Sequence, residues 1–167
     1  MVCTMMKQKS LWLTAGLPGS GKSTYVEEEL NIGSNDIWVS RDLIRFAIVK
    51  EDEEYFSRED EVFRTFIQRA QTALNAPHID RVFIDATHLN PKSRKKVLNA
   101  LVIPDNVEVG CLFFNVPIET CIERNNRRIG RSKVPEKVIY NMAKTLIPPS
   151  EYEGFDKIVI IGDENNE

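Results

Sequence analysis

Eight consecutive residues constrain this chain more than any others: Gly16-Leu17-Pro18-Gly19-Ser20-Gly21-Lys22-Ser23, followed by Thr24. The spacing is G-x-x-x-x-G-K-[ST], set between an apolar run (Leu11 to Ala15) and a segment from Lys22 to Leu30 that reads as a helix. Glycines at these places let the backbone turn its N–H groups inward and approach phosphate oxygens with no Cβ in the way. The N-terminus of the following helix adds its dipole to that anion cradle. Gly16, Pro18, Gly19, Ser20, Gly21, Lys22, Ser23 and Thr24 are therefore expected to hold the phosphates of a nucleoside triphosphate. Lys22 is placed to reach the β- and γ-phosphates, and the Ser23 hydroxyl to ligate Mg²⁺.

The rest of the chain alternates between two periods. Short apolar runs at 37–40, 81–85, 107–115 and 157–161 read as further strands. Between them, helices are expected from Arg41 to about Val49 with Ser40 as N-cap, from about Glu59 to Asn75, and from Pro91. A fifth helix is expected from Pro117 to about Arg128, and a last one from Pro135 after a polar break at 129–134. Strands alternating with helices imply an α/β fold with a parallel sheet and helices on both faces. At 167 residues, 42% hydrophobic, the chain is expected to form one domain over 1–167.

Composition removes several classes of function. No apolar run reaches the roughly 20 residues of a membrane helix, and the N-terminal ten are too polar for a signal peptide, so a cytoplasmic protein is expected. Met5 and Met6 are alternative starts. Cys3, Cys111, Cys121, His78 and His88 have no metal-binding or disulfide spacing. A net charge of -3 excludes a generic polycation, so any nucleic-acid site must be a local patch. The charges are segregated: an acidic block runs from Glu51 to Glu61, and a basic stretch from Arg124 to Lys137. Solvated helix faces are the plain reading of both.

Three further constellations carry chemistry. Arg41, Asp42 and Arg45 follow the second strand, and Asp42 and Arg45 share a helical face. A carboxylate there can take the proton of an attacking hydroxyl while an arginine grips a neighbouring phosphate; a dipole-placed aspartate with a surface partner is the alternative. Asp85 ends the third strand, where it would sit behind Mg²⁺, and Thr87 and His88 follow in the crevice above the strand ends. A turn aspartate and a satisfied loop histidine are the alternatives there. Arg124 and Arg128, four apart, suit a lid closing over a triphosphate; a solvated basic helix end competes with that reading. No guanine-reading Asn/Thr-Lys-x-Asp element is present, which favours a kinase over a GTPase switch.

These motifs, in order, resemble the polynucleotide 5′-hydroxyl kinases, of the phage type and of the animal end-healing enzyme. The resemblance rests on GLPGSGKST, SRD with Arg45, FIDATHLNP with Arg94, RNNRR, and the tail from Val134 to Ile161. It implies the P-loop kinase fold, with five strands in the order 2-3-1-4-5 and an arginine-bearing lid at about 124–135. It implies ATP and Mg²⁺ as cofactors and a DNA or RNA end as substrate. It also implies roles: Lys22, Asp42 (general base) and Arg128 (lid) as catalytic residues, and Ser23 and Asp85 at the metal. Arg124 and Arg128 would hold ATP, and Arg41, Asp42, Arg45, Thr87 and His88 the acceptor. Three features depart from the family. Asp85 matches the strand-end acid of the animal enzyme, whereas the phage type carries its acid one residue later, where this chain has Ala86. His88 stands where relatives usually carry asparagine, and the lid is about one residue longer than in the phage type, so Arg131 can share the task given to Arg128. A kinase for a hydroxymethylated base or a small metabolite is the alternative enzyme, and a nucleotide-dependent binding module the alternative outside enzymes.

Overall fold

In a strand, successive side chains point to opposite faces, and in this protein both faces are apolar. In the computed structural model, which describes residues 9–32 and 35–162, the five strands are β1 Ser10–Ala15, β2 Asp36–Ser40, β3 Arg81–Asp85, β4 Glu108–Asn115 and β5 Lys157–Gly162. They form one parallel sheet in the order β2-β3-β1-β4-β5, with P-loop strand β1 at its centre. The helices are α1 Lys22–Ile32, α2 Arg41–Ile48, α3 Glu59–Asn75, α4 Pro91–Ala100, α5 Ile118–Asn126 and α6 Glu136–Thr145. Cys3, Met5 and Met6 lie outside the described residues. Among those residues no helix is long and apolar enough to cross a membrane.

Leu11, Leu13, Val82, Ile84, Val109, Cys111 and Phe113 point to one face, where α2, α3 and α4 bury Ile44, Val62, Phe66 and Val97 against them. Trp12, Phe83, Leu112 and Phe114 point to the other, against Val26 of α1. The helix boundaries follow from local chemistry. The Ser40 hydroxyl accepts from the Leu43 N–H and caps α2. Asn90 and Ser93 form a reciprocal capping box, with Pro91 opening α4. At the far end of α3, Lys9 Nζ donates to the carbonyls of Leu74 (2.8 Å) and Ala76 (2.5 Å), a cation where the dipole is negative.

The α5 helix stops two residues earlier than its sequence implies, at Asn126, so Arg128 lies beyond it in a turn. The buried Asn125 is the reason: its amide donates to Val134 O (2.6 Å) and accepts from Val134 N (2.9 Å), closing residues 126–133 into a loop. A second buried polar group, Arg94, forks onto Glu153 (2.7 and 3.0 Å) and donates to the carbonyls of His88 (2.8 Å) and Ile147 (3.0 Å). It thereby ties the segment before β5 to the loop that follows β3, and every bond it makes offsets the cost of burying a guanidinium.

The Trp12 indole crosses β4 over Gly110, its register neighbour, and a Cβ at that position would overlap the six-membered ring. Gly110→Ala is therefore expected to destabilise the protein by about 1–3 kcal/mol. Urea denaturation checks this: the midpoint should fall with an unchanged slope.

Candidate active site

The glycine-rich loop hangs from the end of β1 and is held from both sides. Gly16 N–H donates to Thr87 O (2.9 Å), which joins the loop to the turn after β3. Gly19 has φ +82°, and a Cβ there would strike the backbone carbonyl of Cys121 in α5, so only glycine fits. Lys22 is buried, with Nζ donating to Gly16 O (3.1 Å) and Leu17 O (2.7 Å). Burial lowers its pKa below the usual lysine value, while Asp85 and Asp42 pull it up and Arg128 pushes it down. Those couplings place Asp42 and Arg128 within electrostatic reach of Lys22, from α2 on one side and the lid on the other.

Asp85, at the end of β3, is the hub of the floor. One carboxylate oxygen accepts from Thr14 Oγ1 (2.9 Å), and the other from Ser23 Oγ (2.8 Å) and Trp38 Nε1 (3.1 Å). Ser23 and Asp85 thus meet as an all-oxygen donor pair beside the phosphate cradle. This fits Mg²⁺, which takes one or two protein oxygens and completes its octahedron with water and substrate phosphates. Among the described residues no cluster of three or more His, Cys, Asp and Glu forms an alternative metal site.

On the opposite side, Asp42 is exposed (side chain 70%), and its Oδ1 accepts from Arg45 Nη1 at 2.6 Å. Arg45 itself is buried, enclosed by the rings of Tyr55 (4.9 Å) and Phe56 (5.4 Å). Its remaining nitrogens fork onto Glu59 at 2.7 and 3.1 Å, and Arg41 Nη2 reaches the same carboxylate at 3.0 Å. The acidic block is therefore not uniformly solvated. Glu51, Asp52, Glu53 and Glu54 face water, but Glu59 turns inward to neutralise the arginine pair. Burial pulls the Arg45 pKa down, but Glu59, Tyr55 and Asp42 together outweigh it and raise the value. Burial raises the Glu59 pKa, but Arg45 and Arg41 together bring it below its ordinary value.

The lid arginines separate. Arg124 Nη1 lies 3.8 Å from where a Cβ of Gly21 would stand, beside the cradle. Arg128 is exposed and turned back on the lid, with Nη1 donating to Ser132 O (3.3 Å). Arg131 belongs elsewhere: it donates to Val49 O (2.7 Å) and Phe46 O (3.4 Å) and stacks over the Phe46 ring at 5.1 Å. It caps the C-terminal end of α2, whereas the charge of Arg128 acts on Lys22.

His88, expected at the acceptor, is buried instead. Its Nδ1–H donates to Thr14 O (2.6 Å), and its ring stands 6.3 Å from Phe66. Desolvation lowers its pKa to about 4, so the imidazole is neutral. Its φ of +38° is a strained backbone, held by the Arg94 bond to its carbonyl. Thr87 contributes its carbonyl to the glycine-rich loop, and Thr24 is exposed on the first turn of α1.

Glu59, Asn125 and Arg131 are the residues that sequence reasoning did not single out for these tasks. Because the Glu59 pKa is lowered by folding, the stability it contributes is present above the ordinary carboxylate value of 4.5 and lost as pH falls through the folded value. Acid titration of unfolding midpoints checks this: Glu59→Gln should lose about 1.5–3 kcal/mol at neutral pH and show a flatter decline on acidification.

Residues 11–149 match the AAA_33 family, described as an AAA domain. Among solved structures, the protein is similar to a chain of the Pnkp1/Rnl/Hen1 RNA repair complex, at TM-score 0.71 and 20% identity, over 90% of this chain and 47% of that one. The chain thus spans about half the length of that relative. It is also similar to a fungal RNA kinase (TM-score 0.64, 14% identity, 95% of this chain and 77% of that one). A sugar kinase from Janibacter sp. HTCC2649 matches at TM-score 0.63 and 16% identity, over 92% of this chain and 85% of that one. With the glycine-rich loop, its lysine and the strand-end aspartate in one cradle, the chain belongs to the AAA_33 family and has the P-loop kinase fold.

Proposed function

We propose that the protein is an ATP-dependent polynucleotide 5′-hydroxyl kinase. The observation that carries this reading is Asp42: an exposed carboxylate held by Arg45 at 2.6 Å in the first turn of α2, within electrostatic reach of Lys22. A hydroxyl presented between Asp42 and the cradle gives its proton to the carboxylate as its oxygen attacks the γ-phosphorus. The bond from that phosphorus to the β,γ-bridging oxygen breaks, and its electron pair leaves with ADP. Lys22 and Arg128 supply positive charge where the transferring phosphoryl group spreads its negative charge, and Arg124 stands beside the same loop. Ser23 and Asp85 would hold Mg²⁺, which when bound neutralises the β- and γ-phosphate oxygens. Arg41 and Arg45 would receive the acceptor's first phosphate. The likeness to an RNA repair chain and an RNA kinase supports a nucleic-acid acceptor.

A second reading has its own observation. Glu59 already neutralises Arg41 and Arg45, and Glu51 to Glu54 lie exposed beside them, a setting that suits an uncharged, hydroxylated small acceptor. The sugar-kinase likeness agrees with it.

Transfer from γ-labelled ATP to matched 5′-OH and 5′-phosphate oligonucleotides separates the two. Label on the 5′-OH strands alone is the expected outcome; label on neither, with a sugar or polyol acceptor labelled, would establish the second reading. Asp42→Asn should lower turnover by about 100-fold or more while leaving nucleotide affinity nearly unchanged. Wild-type turnover in that variant would remove Asp42 as the base.

A further inference from the structure

Beyond Arg41 the rim of the site changes character. The α4 helix begins directly after the crevice loop, capped by Asn90, and buries Arg94 and Val97 against the sheet. Lys92, Lys95 and Lys96, at i, i+3 and i+4, occupy its other side and are exposed. No carboxylate of the described residues lies within ion-pair distance of any of the three, although Arg41, Arg45, Arg58, Arg81, Arg94 and Arg127 all have one. The patch is also joined to the acceptor arginines. Lys96 Nζ sits 4.4 Å from the centre of the Phe63 ring, and the Arg41 guanidinium 5.5 Å from the same ring. Phe63 thus brings Lys96 and Arg41 to one ring and joins the lysines of α4 to the site.

Along the turn before α3 and its first turns, then, the order is Tyr55 and Phe56 with Arg45, Glu59 with Arg41, and Phe63 with Arg41 and Lys96. The Arg45 end of that ladder borders the exposed acidic Glu51 to Glu54, which repel a phosphodiester backbone. The Lys96 end opens onto unpaired positive charge. In a protein of net charge -3 this contrast is local and directional.

We propose that the exposed side of α4 is the track on which the acceptor strand runs after it passes Arg41, with Lys92, Lys95 and Lys96 contacting its downstream phosphates. The proposal rests on the polynucleotide reading above. It gives a net-acidic protein a polymer-binding surface, and it sets the direction in which the strand leaves the site.

The test compares the wild type with the Lys92→Gln, Lys95→Gln, Lys96→Gln triple variant. The acceptors are a single-stranded 5′-OH oligonucleotide and a nucleoside 3′-monophosphate, each titrated with NaCl. Three lost contacts to a single strand should make the slope of log KM against log salt shallower by about two for the oligonucleotide. The KM for the mononucleotide, the KM for ATP and kcat should not change. Replacing all three lysines by arginine should restore the oligonucleotide slope, which separates charge from any structural effect. An unchanged oligonucleotide slope in the glutamine variant, or an equal rise in KM for both acceptors, would overturn the track. If the wild type labels neither nucleic-acid acceptor, the polynucleotide reading fails and the track fails with it. If it labels both and the slopes agree, the track alone fails.

Discussion

The Asp85 carboxylate is the point at which the sheet becomes a site. Its two oxygens accept from Thr14 in β1, Trp38 in β2 and Ser23 in α1, while Asp85 itself ends β3. Four elements are thus registered on one buried anion, and the glycine-rich loop is fixed relative to the crevice before any ligand arrives. A buried carboxylate is costly unless each lone pair finds a donor, and here three donors converge on it. Lys22 adds the opposite charge from within the loop, and its own donors rest on loop carbonyls. The parallel sheet makes this arrangement possible, because β1 and β3 are neighbours and both end at the same edge.

Around Arg45 the logic is one of charge balance over a short distance. Two arginines and two carboxylates meet around Arg45, and two aromatic rings shield it from water. Asp42 therefore depends on Glu59 through Arg45: the guanidinium that orients it is itself held from α3. The inward turn of Glu59 also means that both arginines already carry a resident counter-charge.

Much of this was legible in the sequence, for identifiable reasons. The strand RVFID and the helix Glu59–Asn75 were readable to the residue because period 2 and period 3.6 differ sharply and the flanking residues break both. The Asp42–Arg45 pair was readable because three residues on a helix fix a distance. Glu59 was not, because its link to Arg45 spans 14 residues across an irregular turn that no periodicity encodes. The burial of His88 was not readable for a similar reason: its ring packs near Phe66, supplied by α3 from elsewhere in the chain. Arg131 was separated from Arg128 only by the turn at 130–132 and by the carbonyls of a distant helix.

The grip of Arg131 also links the two halves of the site. The loop after α5 is cinched at its base by Asn125 and carries both Arg128 and Arg131. Arg131 rests on the last carbonyls of α2, the helix whose first turn bears Asp42, while the charge of Arg128 acts on Lys22. One short loop therefore touches both the far end of the Asp42 helix and the electrostatics of the glycine-rich cradle.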